Sequence, residues 1–316
     1  MPFPRFVNVY VKGKAHMQKS LEFRRLRTVW ALHMRFTTMT RPIRWIPVCL
    51  ICGVILIAVT PPVLAQAPAA TALEDDAAPQ PTEPDFTLIN LPTTLRLPKY
   101  KSNFHLTHRF QGNLRDGTFG KQASNLFGLD NGAAIGFEYR FAIATHVQLA
   151  AYRTNIDRQT QFYAKVDPIA QSASMPVSLS GLVSVEGSNN FRRDYVPAVG
   201  AVVSRKVGEV AALYATPMWV HDTAIGSGTT RDTGVLGLGG RYHVRPNMYL
   251  VAEVSPRLAG YALGPPEYSF ALEGRVGGHV FQLNFSNTIG TTFLQTAHGG
   301  ASNGLFLGFN LARKFY

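Results

Sequence analysis

Between residues 103 and 316, twelve short segments alternate apolar and polar residues, and no amphipathic helical stretch separates them. A period of two puts one residue set on each face of a sheet. Twelve such strands behind an export-type leader predict an all-β fold, a transmembrane antiparallel up-and-down β-barrel. The segments are 103–110, 133–141, 147–154, 160–166, 176–186, 195–204, 210–220, 233–244, 248–254, 268–276, 280–287 and 304–315. Their connections alternate in length. Stretches 142–146, 167–175, 205–209, 245–247 and 277–279 read as tight turns, whereas 111–132, 187–194, 221–232, 255–267 and 288–303 are longer; 155–159 is the short member of that second set. Short turns on one rim and long loops on the other fit a barrel in the bacterial cell outer membrane, with both termini on the short-turn, periplasmic side.

The tolerance of lipid for each residue set assigns the faces. Tyr268, Phe270 and Leu272 alternate with Ser269, Ala271, Glu273 and Arg275; Phe281, Leu283 and Phe285 alternate with Gln282, Asn284 and Ser286. Ile135, Phe137, Tyr139 and Phe141 stand against Glu138 and Arg140. An Arg or Lys at mid-bilayer costs about 2–4 kcal/mol, so the charged set is expected to face the lumen. That set is Arg109, Glu138, Arg140, Lys165, Glu186, Arg241, Glu253, Glu273 and Arg275. Its mixed signs favour paired charges in a filled or narrow barrel over an ion-selective ring. Pro197 and Pro217 each delete a ladder donor and are placed at the barrel mouth, where pairing ends.

The N-terminal third reads differently. Residues 46–64 form a 19-residue apolar run after Arg41 and Arg44, followed by a small-residue processing site where a cut after Ala65 is expected. Pro47, Pro61 and Pro62 interrupt the run, which argues against a retained helical span. Residues 1–65 are therefore read as leader, and Met34 offers an alternative start that would leave residues 1–33 untranslated. This leader holds ten of the 31 Lys and Arg but one of the 19 acids, Glu22. What remains, 21 bases against 18 acids, gives no basis for nucleic-acid binding. Both cysteines, Cys49 and Cys52, lie in the leader, so their C-x-x-C spacing reads as filler, and no disulfide or thiolate metal site is expected downstream. From Gln66 to about Pro92 the chain is rich in Ala, Pro, Thr and acids and reads as a flexible periplasmic tail. Leu95 to Lys101, with Pro98, reads as a tether or a short plug, giving a tail region 66–100 and a barrel domain 101–316.

Little in the barrel domain carries chemistry. On a strand, His105 and His108 point to opposite faces and cannot share a metal. His221, Asp222, Ser227 and His298 lie in long loops without a nucleophile elbow. Gly237, Gly239 and Gly240 read as close packing or a lumen-narrowing backbone, not a phosphate cradle. A more specific pattern is His108-Arg109-Phe110, then Phe127-Gly128-Leu129-Asp130-Asn131-Gly132-Ala133 leading into an alternating strand. This pattern resembles the DUF5777 family of bacterial β-barrel proteins, over roughly residues 100–316. The resemblance implies an outer-membrane-type barrel of uncharacterised function and brings no catalytic residues. In physical terms, Gly128 and Gly132 are expected at positive φ, Asp130 and Asn131 to cap the turn, and Arg109 to pair with Glu138 across the first hairpin.

The chain end carries a phased apolar set, Leu305, Leu307, Phe309, Leu311 and Phe315, broken by Arg313, with Tyr316 out of phase. Partners expected are outer-membrane lipid, the barrel-assembly machinery and a periplasmic protein reached by the tail, with no cofactor and no metal. The leading expectation is a non-enzymatic barrel acting as a narrow channel or membrane scaffold. Two alternatives are a membrane-embedded lipid or ester hydrolase using Ser227 and His221, and a secreted β-sandwich adhesion protein.

Overall fold

The computed structural model describes residues 82–224, 231–261 and 264–316. The leader, its cysteine pair, the processing site, the Ala/Pro-rich stretch up to residue 81 and Ser227 lie outside the described residues.

All twelve expected strands form. They are β1 (Ser102–Asn113), β2 (Ala133–Ala144), β3 (Val147–Thr154), β4 (Thr160–Ile169), β5 (Ser178–Gly187) and β6 (Arg193–Val207). There follow β7 (Ala211–Val220), β8 (Thr233–Arg245), β9 (Met248–Ser255), the three-residue β10 (Arg257–Ala259), β11 (Glu267–Val276), β12 (His279–Ser286) and β13 (Phe306–Phe315). Every barrel strand pairs antiparallel with its chain neighbour, and β13 returns to β1 with Ser102 opposite Phe315. β10 continues β9 past Pro256 and pairs with β8 through Arg257 and Val235. Twelve staves thus close one antiparallel barrel. A single closed sheet also excludes the two-sheet sandwich.

The alternation becomes two faces of different chemistry. Outward, Phe137, Val183, Leu213, Leu250, Phe270 and Phe281 are all about half exposed, an apolar belt no water-facing surface of this size would carry. Inward, Ser180, Ser204, Thr216, Ser269 and Asn284 are buried. Tight turns close one rim at 145–146, 246–247 and 277–278, with His146, Asn247 and Gly277 at positive φ, the backbone that two-residue hairpins need. At the chain end Phe315 is exposed on the outer face, and Arg313 lies outward beside His279 at 2.8 Å.

The two prolines part company. Pro197 lies near the long-loop rim, its carbonyl accepting the His221 N–H at 3.0 Å. Pro217 sits within β7 and not at the mouth. The β6–β7 register stops at Gly200–Met218 and resumes at Val203–Ala215, so the missing N–H falls in a gap of the ladder. Gly200 permits the close approach there, since a Cβ would lie 2.9 Å from the Pro217 carbonyl oxygen.

The plugged lumen as candidate functional site

The barrel is not hollow. Residues 82–97 enter its interior as an irregular hairpin, with Phe86, Leu88, Ile89, Leu91 and Leu97 all buried. The expectation of a flexible tail reaching residue 100 is corrected over this stretch. The physical reason is compositional: after the Pro-rich run, FTLINLPTTLRL supplies six large apolar side chains, enough to offset the entropy of ordering. Of the stretch expected as a tether or short plug, Leu95 and Leu97 belong to the plug. Pro98 to Lys101 then turn at the short-turn rim, with Lys101 N–H donating to the Pro98 carbonyl at 3.0 Å, and lead into β1.

Two backbone bonds close the hairpin on itself, Leu88 N–H to Leu91 O at 2.8 Å and Thr93 N–H to Phe86 O at 2.9 Å. The remaining backbone groups need other partners, because a buried amide without one is costly. The inward charges supply them. Glu253 accepts the N–H groups of Ile89, Asn90 and Leu91 at 3.0, 2.8 and 3.1 Å. Arg241 donates to the Thr87 carbonyl at 2.9 Å and is paired with Glu273 at 2.8 Å. Lys165 donates to the Thr93 and Leu95 carbonyls at 2.8 and 2.9 Å and is paired with Asp167 at 3.0 Å. Gln282 and Asn310 donate to the Leu88 and Ile89 carbonyls at 2.7 and 3.0 Å. Arg109 holds the Asn90 side-chain oxygen at 3.1 Å and Asn310 at 2.7 Å.

Apolar contacts complete the seat. Leu88, Ile89 and Leu91 cluster with Val202, Tyr214, Tyr249, Val251 and Ala271. Gly237 and Gly239 explain themselves here. A Cβ at Gly239 would lie 2.5 Å from Leu88, and one at Gly237 would lie 2.7 Å from Leu91. The glycine run is neither a phosphate cradle nor a plain strand contact; it is a socket for the hairpin's leucines.

From the long-loop rim a second element descends. The helix Phe293–His298 has Phe293, Leu294, Thr296 and Ala297 buried and starts in a capping box made by Thr292 and Gln295. Glu186 accepts its Leu294 N–H at 2.8 Å, and Tyr152 bonds Thr291 at 2.5 Å. Between helix and hairpin lies a pocket of 20 Å³, bordered by Asn90, His105, Tyr163 and Phe293.

The expected lumen charges come together around the hairpin, except Glu186, which holds the helix, and with two further adjustments. Arg109 does not pair with Glu138. The register sets Glu138 opposite His105 and Arg109 opposite Ala134, four positions further on, about 13 Å along the strand. Glu138 is instead bound by Arg140 at 2.8 Å and by the Tyr163 hydroxyl at 2.9 Å. Arg275 is only half-buried, at the short-turn rim, and holds no part of the hairpin. Residues missed from sequence are Asn90, Gln148 and Asp167. Gln148 donates to the Leu95 carbonyl at 3.0 Å and to Asp167 at 2.7 Å. The signal of Gln148 and Asp167 was weak, an uncharged or single acidic residue in an inward phase, and Asn90 lies in the hairpin, which has no strand phase.

The family-type motif forms a turn at the long-loop rim. Gly128 and Gly132 take φ of 90° and 81°. Gly128 packs so tightly on Gly112 of β1 that a Cβ on Gly112 would lie 2.2 Å from its Cα. Asp130 and Asn131 are exposed, and backbone bonds close the turn, Gly128 N–H to Asn125 O and Gln111 N–H to Gly132 O, both at 3.0 Å. This corrects the expected side-chain cap. His105 faces the lumen while His108 lies outside, stacked on Phe309 at 4.7 Å. Among the described residues no cluster could hold a metal. His221 pairs with Asp232 at 2.7 Å, not with Asp222, whose carboxylate takes the Arg231 N–H at 3.2 Å. His298 contacts the Thr223 carbonyl and the Tyr261 ring. Among the described residues nothing gathers these side chains around a nucleophile, and Ser227 lies outside them.

A closed sheet, apolar without and polar within, its lumen filled by its own chain, defines a membrane β-barrel with an internal plug. The chain belongs to the family described as "Membrane bound beta barrel domain (DUF5777)", whose model matches residues 85–315. The match begins at Asp85, so the family domain includes the hairpin. Among solved structures the chain is similar to the NanC porin, with 8% identity, 68% of this chain and 99% of that chain covered and a TM-score of 0.44. It is also similar to an outer membrane channel from Pseudomonas putida F1, with 13% identity, 69% and 97% covered and a TM-score of 0.44. A third is the Acinetobacter baumannii outer membrane protein Omp33, with 7% identity, 69% and 99% covered and a TM-score of 0.39. No curated protein matches the chain significantly.

Proposed function

We propose that this protein is a non-enzymatic barrel of the bacterial outer membrane, a narrow channel held shut by its own N-terminal hairpin. The observation that carries the reading is the way residues 82–97 are held. Polar side chains of the wall grip backbone carbonyls and N–H groups, contacts that water can replace when the hairpin leaves. The wall left behind would carry Ser180, Ser204, Thr216, Ser269, Gln282 and Asn310, all buried now and all able to line an aqueous path. Twelve strands leave a lumen between the filled eight-stranded case and the open sixteen-stranded porin. In this orientation the hairpin enters from the periplasmic rim, within reach of a periplasmic partner, and Phe315 serves the assembly machinery as its phased aromatic.

Conductance in planar bilayers tests the reading. The full mature chain should be electrically silent, and a chain lacking residues 82–97 should conduct. A deletion variant that folds, migrates heat-modifiably in detergent gels and stays silent would leave a membrane scaffold as the function.

A further inference from the structure

Apart from the plugged lumen, a second concavity opens at the long-loop rim. It is a cleft of 580 Å³ between the loop after β3, the loop after β5 and the helix Phe293–His298. This volume falls within the range of about 300–1,000 Å³ typical of small-molecule sites. Arg158 and Arg193 line it from the two loops, together with Asp157, Asn189 and Asp194. Both guanidinium groups belong to exposed residues, and among the described residues neither forms an ion pair. Asp194 is occupied by the Ser188 hydroxyl. The loops are braced from behind by Arg153, which donates to the Asn190 side chain at 2.7 Å.

The backbone of these loops is unusual. Asp157, Arg158, Asn189 and Asp194 take φ of 49°, 50°, 50° and 54°, the left-handed region, and none is a glycine. Asn and Asp adopt that region readily, but Arg does not. Holding Arg158 there against its preference fixes where its side chain leaves the chain, and such outliers gather at binding sites.

We propose that this cleft binds a hydroxylated organic anion of about monosaccharide size. Arg158 and Arg193 offer the anionic group planar, always-charged donors. Asp157, Asn189 and the Gln295 amide N–H, whose oxygen partner is taken by the capping box, meet the hydroxyls, which need acceptors and donors in mixed array. Because Gln295 and His298 also line the cleft, a solute bound there touches the helix that closes the lumen from this side. The site itself needs only the folded barrel; its role as the entry point for a transported solute rests on the channel reading.

Isothermal titration of the refolded full-length barrel in detergent, with gluconate, glucose and inorganic phosphate as probes, tests the proposal. Gluconate should bind, and glucose and phosphate should each bind about tenfold more weakly or worse. The R158Q/R193Q double variant should lose gluconate by about tenfold or more, and R158K/R193K should recover part of it. Both positions are exposed, so heat-modifiable migration should be unchanged in either variant. Absence of gluconate binding, or binding untouched by R158Q/R193Q, would overturn the site. Phosphate binding as tight as gluconate would overturn the hydroxyl recognition. Conductance separates the two readings, since gluconate bound to a barrel that stays silent without residues 82–97 keeps the site and removes the channel.

Discussion

The hairpin 82–97 and the helix Phe293–His298 close the lumen from opposite rims by opposite means. The helix satisfies most of its own backbone through internal bonds and a capping box, and it takes from the barrel Glu186 at its start, Arg257 on the His298 carbonyl at its end, and an apolar bed. The hairpin has two internal backbone bonds and a few made by its own Asp85 and Thr93 side chains. It borrows most others from residues of β3, β4, β8, β9, β12 and β13. One element is largely self-sufficient and docked at few points. The other exists as a structure only because the wall completes it. A segment of the second kind is ordered when seated and has little to hold its shape once withdrawn, which suits a part that must leave without leaving debris in the path.

This contrast can be broken most sharply at the socket. Gly239→Phe would occupy the place of Leu88, 2.5 Å from where its first side-chain atom must sit, and should turn a silent barrel into a conducting one in planar bilayers. A silent Gly239→Phe barrel would mean the hairpin is not what blocks the path. Next in size is Glu253→Ala, which strands three hairpin N–H groups. Each donor left without a partner costs about 1–3 kcal/mol, less where water follows. With Leu91→Cys as reporter, since the chain's native cysteines are confined to positions 49 and 52, a polar maleimide should label the Glu253→Ala barrel at least about tenfold faster. Equal labelling would show that the carboxylate does not hold the tip.

A smaller effect distinguishes the ion pairs of the wall. Exchanging Glu138 and Arg140 should restore much of the thermal stability lost by either single reversal, because the two touch at 2.8 Å on neighbouring inward positions. Reversing Arg109 together with Glu138 should restore nothing, and rescue there would contradict the register. Smallest of all is Glu186→Gln. It weakens a charge-assisted bond to the Leu294 N–H by about 1 kcal/mol and should raise labelling of Ala297→Cys while leaving Leu91→Cys unchanged. If both reporters moved together, the two closures would be one unit.

Much of this architecture was readable beforehand. The two-residue period in segments such as Tyr268 to Arg275 set the strands, their faces and the inward charges, since each depends on neighbours two positions apart and on what hydrocarbon tolerates. Turn positions such as Asn247 and Gly277 followed from local backbone preference. The hairpin followed only in part, as the short plug expected from Leu95 onward, because its apolar residues carry no period that announces a partner. Phe86 to Leu97 has no strand or helix period, and its partners are remote: Glu253 lies 163 positions from Asn90, and Asn310 lies 221 from Ile89. The same distance misdirected the Arg109–Glu138 expectation, where strand register, a property of the pair and not of either strand, decided the outcome.

The amino-acid order alone thus determined that a closed, membrane-facing sheet forms and which side chains look into it, because alternation is written residue by residue. Only the assembled barrel decided what fills that interior. A lumen and its matching socket at Gly237 and Gly239 come into being when twelve strands close, and until then residues 82–97 have nothing to fit.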